Sequence, residues 1–98
     1  MLTSIEARNF ELTEAIKTRV EKMVDSQLKI YEEHITKATI ILDFINHRKG
    51  GQPNADVKIV VEIPGPDLVA GNGHNDLYEA VDGALDKIVD QMQKRKEK

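Results

Sequence analysis

The sequence has no cysteine and no tryptophan. Without cysteine there is no disulfide framework, zinc finger or thiol nucleophile, and the chain suits a reducing compartment. No apolar run approaches a membrane span and no basic-then-apolar leader opens the chain, so a soluble, cytoplasmic protein is expected. Catalytic constellations are equally sparse. His34, His47 and His74 fall in separate predicted loops, and no pair has the i, i+4 spacing of a helical zinc site. Gly71-Asn72-Gly73 lacks the third glycine of a dinucleotide fingerprint, and there is no Walker sequence. The expectation is a protein that is not an enzyme and holds no metal or cofactor.

What is present is a patterned globular chain. Its 98 residues, 40% hydrophobic and 32% charged, suffice for one two-layer core, so residues 1–98 are read as a single domain. Residues 2–7 are a short strand candidate. Thr13 stands where a hydroxyl would cap a helix. From Glu14 to about Glu32 the apolar residues Ile16, Val20, Met23, Val24, Leu28 and Tyr31 recur at helical spacing. Residues 36–45 and 55–63 alternate as strands, with Ala38, Ile40, Leu42 and Phe44 on one face of the first, and Ala55, Val57, Ile59, Val61 and Ile63 on one face of the second. Pro64-Gly65-Pro66 turns the chain into a weaker strand at 67–73. Asn75 or Asp76 caps a last helix with Leu77, Val81, Ala84, Leu85, Ile88 and Met92 as its stripe.

The predicted fold class is therefore α+β, in the order β-α-β-β-β-α. A four-stranded mixed sheet carries two helices on one face and leaves the other face open. Strands one and two, joined through a helix, should be parallel with a right-handed crossover, and strands two to four should form an antiparallel meander. Phe44 follows the apolar alternation inward. The predicted outer face thus lacks the aromatics on which open-sheet RNA binders stack bases.

Charge is unevenly spread. The net charge is −3, yet residues 75–90 are strongly acidic and the positive charge gathers at Lys94, Arg95, Lys96 and Lys98. Asp76, Glu79, Asp82, Asp86 and Asp90 share one helical surface, either a solvated face or a docking surface for a basic protein. The terminal cations complement a helix dipole, or else join Lys22, Lys29, Lys87 and the loop cations Arg48 and Lys49 in neutralising phosphates. As surface charges, Lys94, Arg95 and Lys96 should contribute little to folding.

Two segments carry a family resemblance. They are Phe10-Glu11-Leu12-Thr13-Glu14-Ala15-Ile16 and, more specifically, the Asp76 to Asp82 stretch Asp-Leu-Tyr-Glu-Ala-Val-Asp followed by Asp86-Lys87. With the basic end, they make the chain similar to the ribosome hibernation-promoting factors, also called ribosome-associated inhibitors or sigma-54 modulation proteins. The resemblance spans essentially the whole chain. It implies a compact domain with a layout like that of double-stranded RNA-binding domains. It also implies binding to 16S rRNA of the small ribosomal subunit in the messenger and transfer RNA channel. Translation would be blocked there by occupancy, and ribosome dimerisation promoted, in stress and stationary phase. The implied rRNA ligands are Lys22, Lys29, Lys87, Lys94, Arg95 and Lys96, with Arg48 and Lys49 reaching from the loop. Tyr78 is either a stacking contact or a ring half-buried at the helix–sheet junction. The cations of the two helices are expected to converge in one electropositive stripe. Partners would be ribosomes, with no DNA and no membrane, and the free protein would be monomeric. The competing reading is a protein-interaction module that uses the acidic helix face and the open sheet without RNA.

Overall fold

A computed structural model of the chain describes residues 1–46 and 49–96, with the side chain of Lys96 outside the description. The elements run β1 (Leu2–Arg8), α1 (Glu14–Leu28), β2 (Lys37–Phe44), β3 (Ala55–Glu62), β4 (Leu68–His74) and α2 (Leu77–Lys96). They form one sheet in the order β1-β2-β3-β4. β1 runs parallel to β2, and the other two pairings are antiparallel. This is the α+β fold expected from the alternation of the strands and the spacing of the helices.

The period-two pattern of β2 and β3 sets the two faces. Ala38, Ile40 and Leu42 pair with Val61, Ile59 and Val57, and all six are fully buried. Their neighbours Thr39, Ile41 and Val60 share the other face and are half-buried. The helices cover the first face. Val20, Val24 and Leu28 of α1 and Ala80, Val81, Ala84, Leu85 and Ile88 of α2 fall in the same core cluster as the strand residues. Phe44 packs against that cluster and meets Phe10 edge to face, with ring centroids 6.3 Å apart. Among the described residues no polar or charged side chain is fully buried. The register leaves the outer face without an aromatic ring: Ser4, Thr39, Val60 and Val69 make one row, and Glu6, Ile41, Lys58 and Gly71 the next.

Both helix starts are capped by side chains. Thr13 Oγ1 accepts from the Ile16 N–H at 3.2 Å. Asp76 Oδ1 accepts from the N–H groups of Tyr78 and Glu79 at 2.8 and 3.3 Å, so Asp76 is the cap rather than Asn75. Asn75 Oδ1 instead accepts from the Asn54 N–H, tying the β2–β3 loop to the start of α2.

Two expectations are corrected. The first helix is α-helical only to Leu28. It tightens into a 3₁₀ segment over Lys29–His34 that turns Ile30 outward and Tyr31 inward. The tighter segment ends the helix before the chain turns extended at Ile35, whose N–H donates to the Glu32 carbonyl. His74 is the last residue of β4, not a loop residue. Its Nδ1 accepts from the Asp76 N–H at 3.0 Å.

One contact explains a glycine inside α2. The Asn72 amide leans from β4 against the helix and donates to the Ala80 carbonyl at 3.2 Å. A Cβ at Gly83 would run into the Asn72 side chain. Alanine at a helix interior normally gains about 1 kcal/mol over glycine. Gly83→Ala alone should lose that gain by expelling Asn72, whereas in an Asn72→Ala background it should recover it. Urea unfolding of the two single variants and the double variant checks this: the coupling should reach about 1 kcal/mol, as for residues in contact.

Candidate nucleic-acid interface

The inward stripe of α1 determines what its outer surface offers. With Val20, Val24 and Leu28 inward, Ala15, Arg19, Lys22, Ser26 and Lys29 follow one another at alternating spacings of four and three, and all are exposed. This strip contains three cations, and the exposed Asp25 flanks it, three residues after Lys22 and four before Lys29. It borders α2, because the Arg19 guanidinium carbon lies 3.8 Å from the centroid of the Tyr78 ring. Tyr78 is half-buried and packs against the core. Lys22 and Lys29 thus stand where the sequence placed them, and Arg19 joins them. Arg19 was overlooked because its neighbour across the helix pair is far away in sequence.

The cations of α2 are placed differently. Tyr78 and Lys87 are nine residues apart, about two and a half helical turns, so they occupy opposite flanks of α2. Tyr78 faces α1. Lys87 hangs over the sheet edge, its Nζ donating to the Gly71 carbonyl at 2.7 Å. One turn on, Gln91 Nε2 donates to the Val69 carbonyl at 3.0 Å. One turn further, Arg95 Nη1 and Nη2 donate to the Pro66 and Pro64 carbonyls at 3.4 and 3.2 Å. The three side chains form a ladder down the free edge of β4 and into the turn after β3. Gly65 in that turn has φ +99°, and a Cβ there would collide with the Arg95 guanidinium. Lys94 is paired with Asp90 at 3.1 Å, a well-exposed i, i+4 contact.

Glu79, Asp82, Asp86 and Asp90, at spacings of three, four and four, run along α2 between its two flanks. The two helices therefore do not present a single electropositive stripe. Helical phase separates them: the α1 strip and the Lys87 flank lie on either side of an acidic crest. Lys49 is exposed in a short 3₁₀ turn, Lys49–Gly51, of the β2–β3 loop. Arg48 and the side chain of Lys96 lie outside the described residues.

No group of three His, Cys, Asp or Glu side chains converges as a metal site among the described residues. An open cleft of about 300 Å³ between the end of α1, the β3–β4 turn and α2 is lined mainly by Ile30, Tyr31, Ile63, Pro64 and Met92, with His34 and Arg95 as its ionisable members. No helix among the described residues is long and apolar enough to cross a membrane.

Fold and surface together define a class: a one-sheet α+β domain with both helices on one face, and a basic strip along the first helix. The chain belongs to the family described as Sigma 54 modulation protein / S30EA ribosomal protein, whose model matches residues 3–98. It is 31% identical over 98 residues to a ribosome hibernation promoting factor of Pseudomonas putida, covering 100% of this chain and 89% of that one. It is 33% identical over 92 residues to a ribosome hibernation promotion factor of Deinococcus radiodurans, covering 94% of this chain. Of that longer relative it spans about half, 47%. The N-terminal domain of Thermus thermophilus Protein Y superposes with a TM-score of 0.76 at 28% identity, over 96% of this chain and 98% of that one.

The ladder on β4 corrects the expectation that the basic end is irrelevant to folding. Arg95→Ala removes two charge-assisted bonds that hold a turn, and should cost about 1 kcal/mol after allowance for exposure. Lys94→Ala should cost no more than about 0.5 kcal/mol. Thermal unfolding of the two variants side by side checks the difference.

Proposed function

We propose that this chain is a ribosome hibernation factor. Its single domain, residues 1–98, would bind the small ribosomal subunit in the messenger and transfer RNA channel, silence translation by occupancy, and promote ribosome pairing. The observation that carries this reading is the likeness to the Pseudomonas putida factor, which extends over the full chain and most of the relative. The electrostatics agree with it locally. The protein is net negative, yet α1 carries an exposed strip whose three cations have no hydrogen bond or ion pair among the described residues. Such a strip suits the 16S rRNA backbone, where lysine and arginine displace condensed counterions. Lys22 and Lys29 would be its phosphate ligands. Lys49 and Arg48 would add reach from the loop. Lys87, Lys94 and Arg95 would contribute from the other flank of α2, after giving up the internal acceptors that hold them, and Lys96, whose side chain lies outside the described residues, would add to them. The absence of outward aromatics favours contacts to backbone and shape over base stacking.

A second reading is favoured by one feature. Glu79, Asp86 and Asp90 of the acidic crest of α2 are exposed and Asp82 half-buried, which suits docking to a basic protein surface without RNA.

Sedimentation of purified small subunits with the chain tests both. Binding through two or three phosphates should weaken about ten- to a hundredfold between 50 and 200 mM salt. Subunits preloaded with messenger and transfer RNA should retain less of the chain. The same gradients, run with intact ribosomes, read out pairing. Retention that ignores both salt and preloading would favour the protein-docking module.

A further inference from the structure

We infer that Arg19, seated over the ring of Tyr78, is the anchoring phosphodiester ligand of this chain for RNA, and that Tyr78 is its positioning residue. The inference rests on the ribosome-binding reading above and names a contact within it. Three observations carry it.

The first is availability. Lys87 and Arg95 are engaged with backbone carbonyls and Lys94 with Asp90. Arg19 has no hydrogen bond or ion pair among the described residues, only the ring contact. A guanidinium has five N–H donors in one plane, and stacking on an aromatic face uses none of them.

The second is pre-organisation. The ring under Arg19 is fixed at the first turn of α2. The Tyr78 N–H donates to the capping Asp76 carboxylate at 2.8 Å, and the ring is half-buried against the core. Arginine normally loses much rotamer freedom when it grips a phosphate. Here the cation–π contact limits that freedom beforehand, while Arg19 stays exposed. Tyr78 is thereby a platform for the cation instead of a stacking contact for a base.

The third is company. Lys22 lies one turn on, and Lys29, the first residue of the 3₁₀ segment after α1, a further two turns along the same strip, so the three cations span about 15 Å. Glu14, Ala15 and Thr18 line a shallow surface depression of α1 together with Arg19 and Lys22, so one carboxylate stands beside the two cations there. An extended polyanion fits this row better than a single small anion does.

The test measures retention by purified small ribosomal subunits, with dissociation constants taken across a salt series and thermal unfolding followed in parallel. Arg19→Ala should weaken binding about five- to twentyfold and lower the salt slope by about 0.7–0.9. Arg19→Lys, which keeps the charge but loses the planar fork, should fall between that variant and the wild type. Tyr78→Phe keeps the ring face and should bind like wild type. Tyr78→Leu should weaken binding several-fold with an unfolding midpoint close to that of Tyr78→Phe, and should add little when combined with Arg19→Ala. If the wild-type chain binds in a salt-dependent manner but Arg19→Ala stays within twofold of it, Arg19 is not the anchor and the inference is overturned. Equal loss in Tyr78→Phe and Tyr78→Leu would overturn the positioning role. If the wild-type chain itself fails to sediment with subunits, the ribosome reading fails first, and the inference with it.

Discussion

The inner face of the sheet must be kept from water, and the rest of the structure follows from how that is done. Seven strand residues from Ala38 to Val61 are fully buried on that face, and a four-stranded sheet cannot cover them alone. Two helices do so, each with one apolar stripe. Once Val20, Val24 and Leu28 face down, Arg19, Lys22 and Lys29 have no choice but to lie along the flank toward α2. Once Val81, Leu85 and Ile88 face down, Tyr78 and Lys87 are sent to opposite sides, with carboxylates between them. The surface charge pattern is thus a by-product of core packing.

The free edge of β4 shows the same economy. An exposed strand edge invites pairing with another chain. Here Lys87, Gln91 and Arg95 donate to its carbonyls and to the adjoining turn at successive helical turns. Side chains that look, by composition, like a basic tail for a polyanion also serve as an edge cover. Arg95 shows this most fully, because Gly65 leaves the space its guanidinium occupies. Such residues can meet RNA only by exchanging one set of acceptors for another. Arg19, Lys22 and Lys29 are under no such constraint.

Much of the fold was legible beforehand because its signals are local. Alternation placed Ala55, Val57, Ile59 and Val61 on one face, and the i, i+3, i+4 recurrence placed both helices. Thr13 and Asp76 cap them through bonds that span three residues or fewer. The end of α1 was misjudged where Tyr31 continues the apolar stripe although the backbone has tightened. The site was legible in part. Lys22 and Lys29 are exposed on the outer side of the first helical segment, but they do not join the cations of α2 in the one stripe expected, and Tyr78 is half-buried as one of its two readings had it. The Arg19–Tyr78 contact was not legible, because it joins residues 59 positions apart across two helices.

Residue order alone settles which elements form and which side of each turns inward, since periodicity, caps and turns act over a few neighbours. It also settles what cannot be built: no thiol chemistry, and no aromatic platform on the open sheet. The pairing of faces belonged to the tertiary structure. Whether a lysine meets a carbonyl, a carboxylate or solvent depends on which flank of one helix lies against another element. That relation is fixed by the summed packing of the core, not by any short stretch of chain.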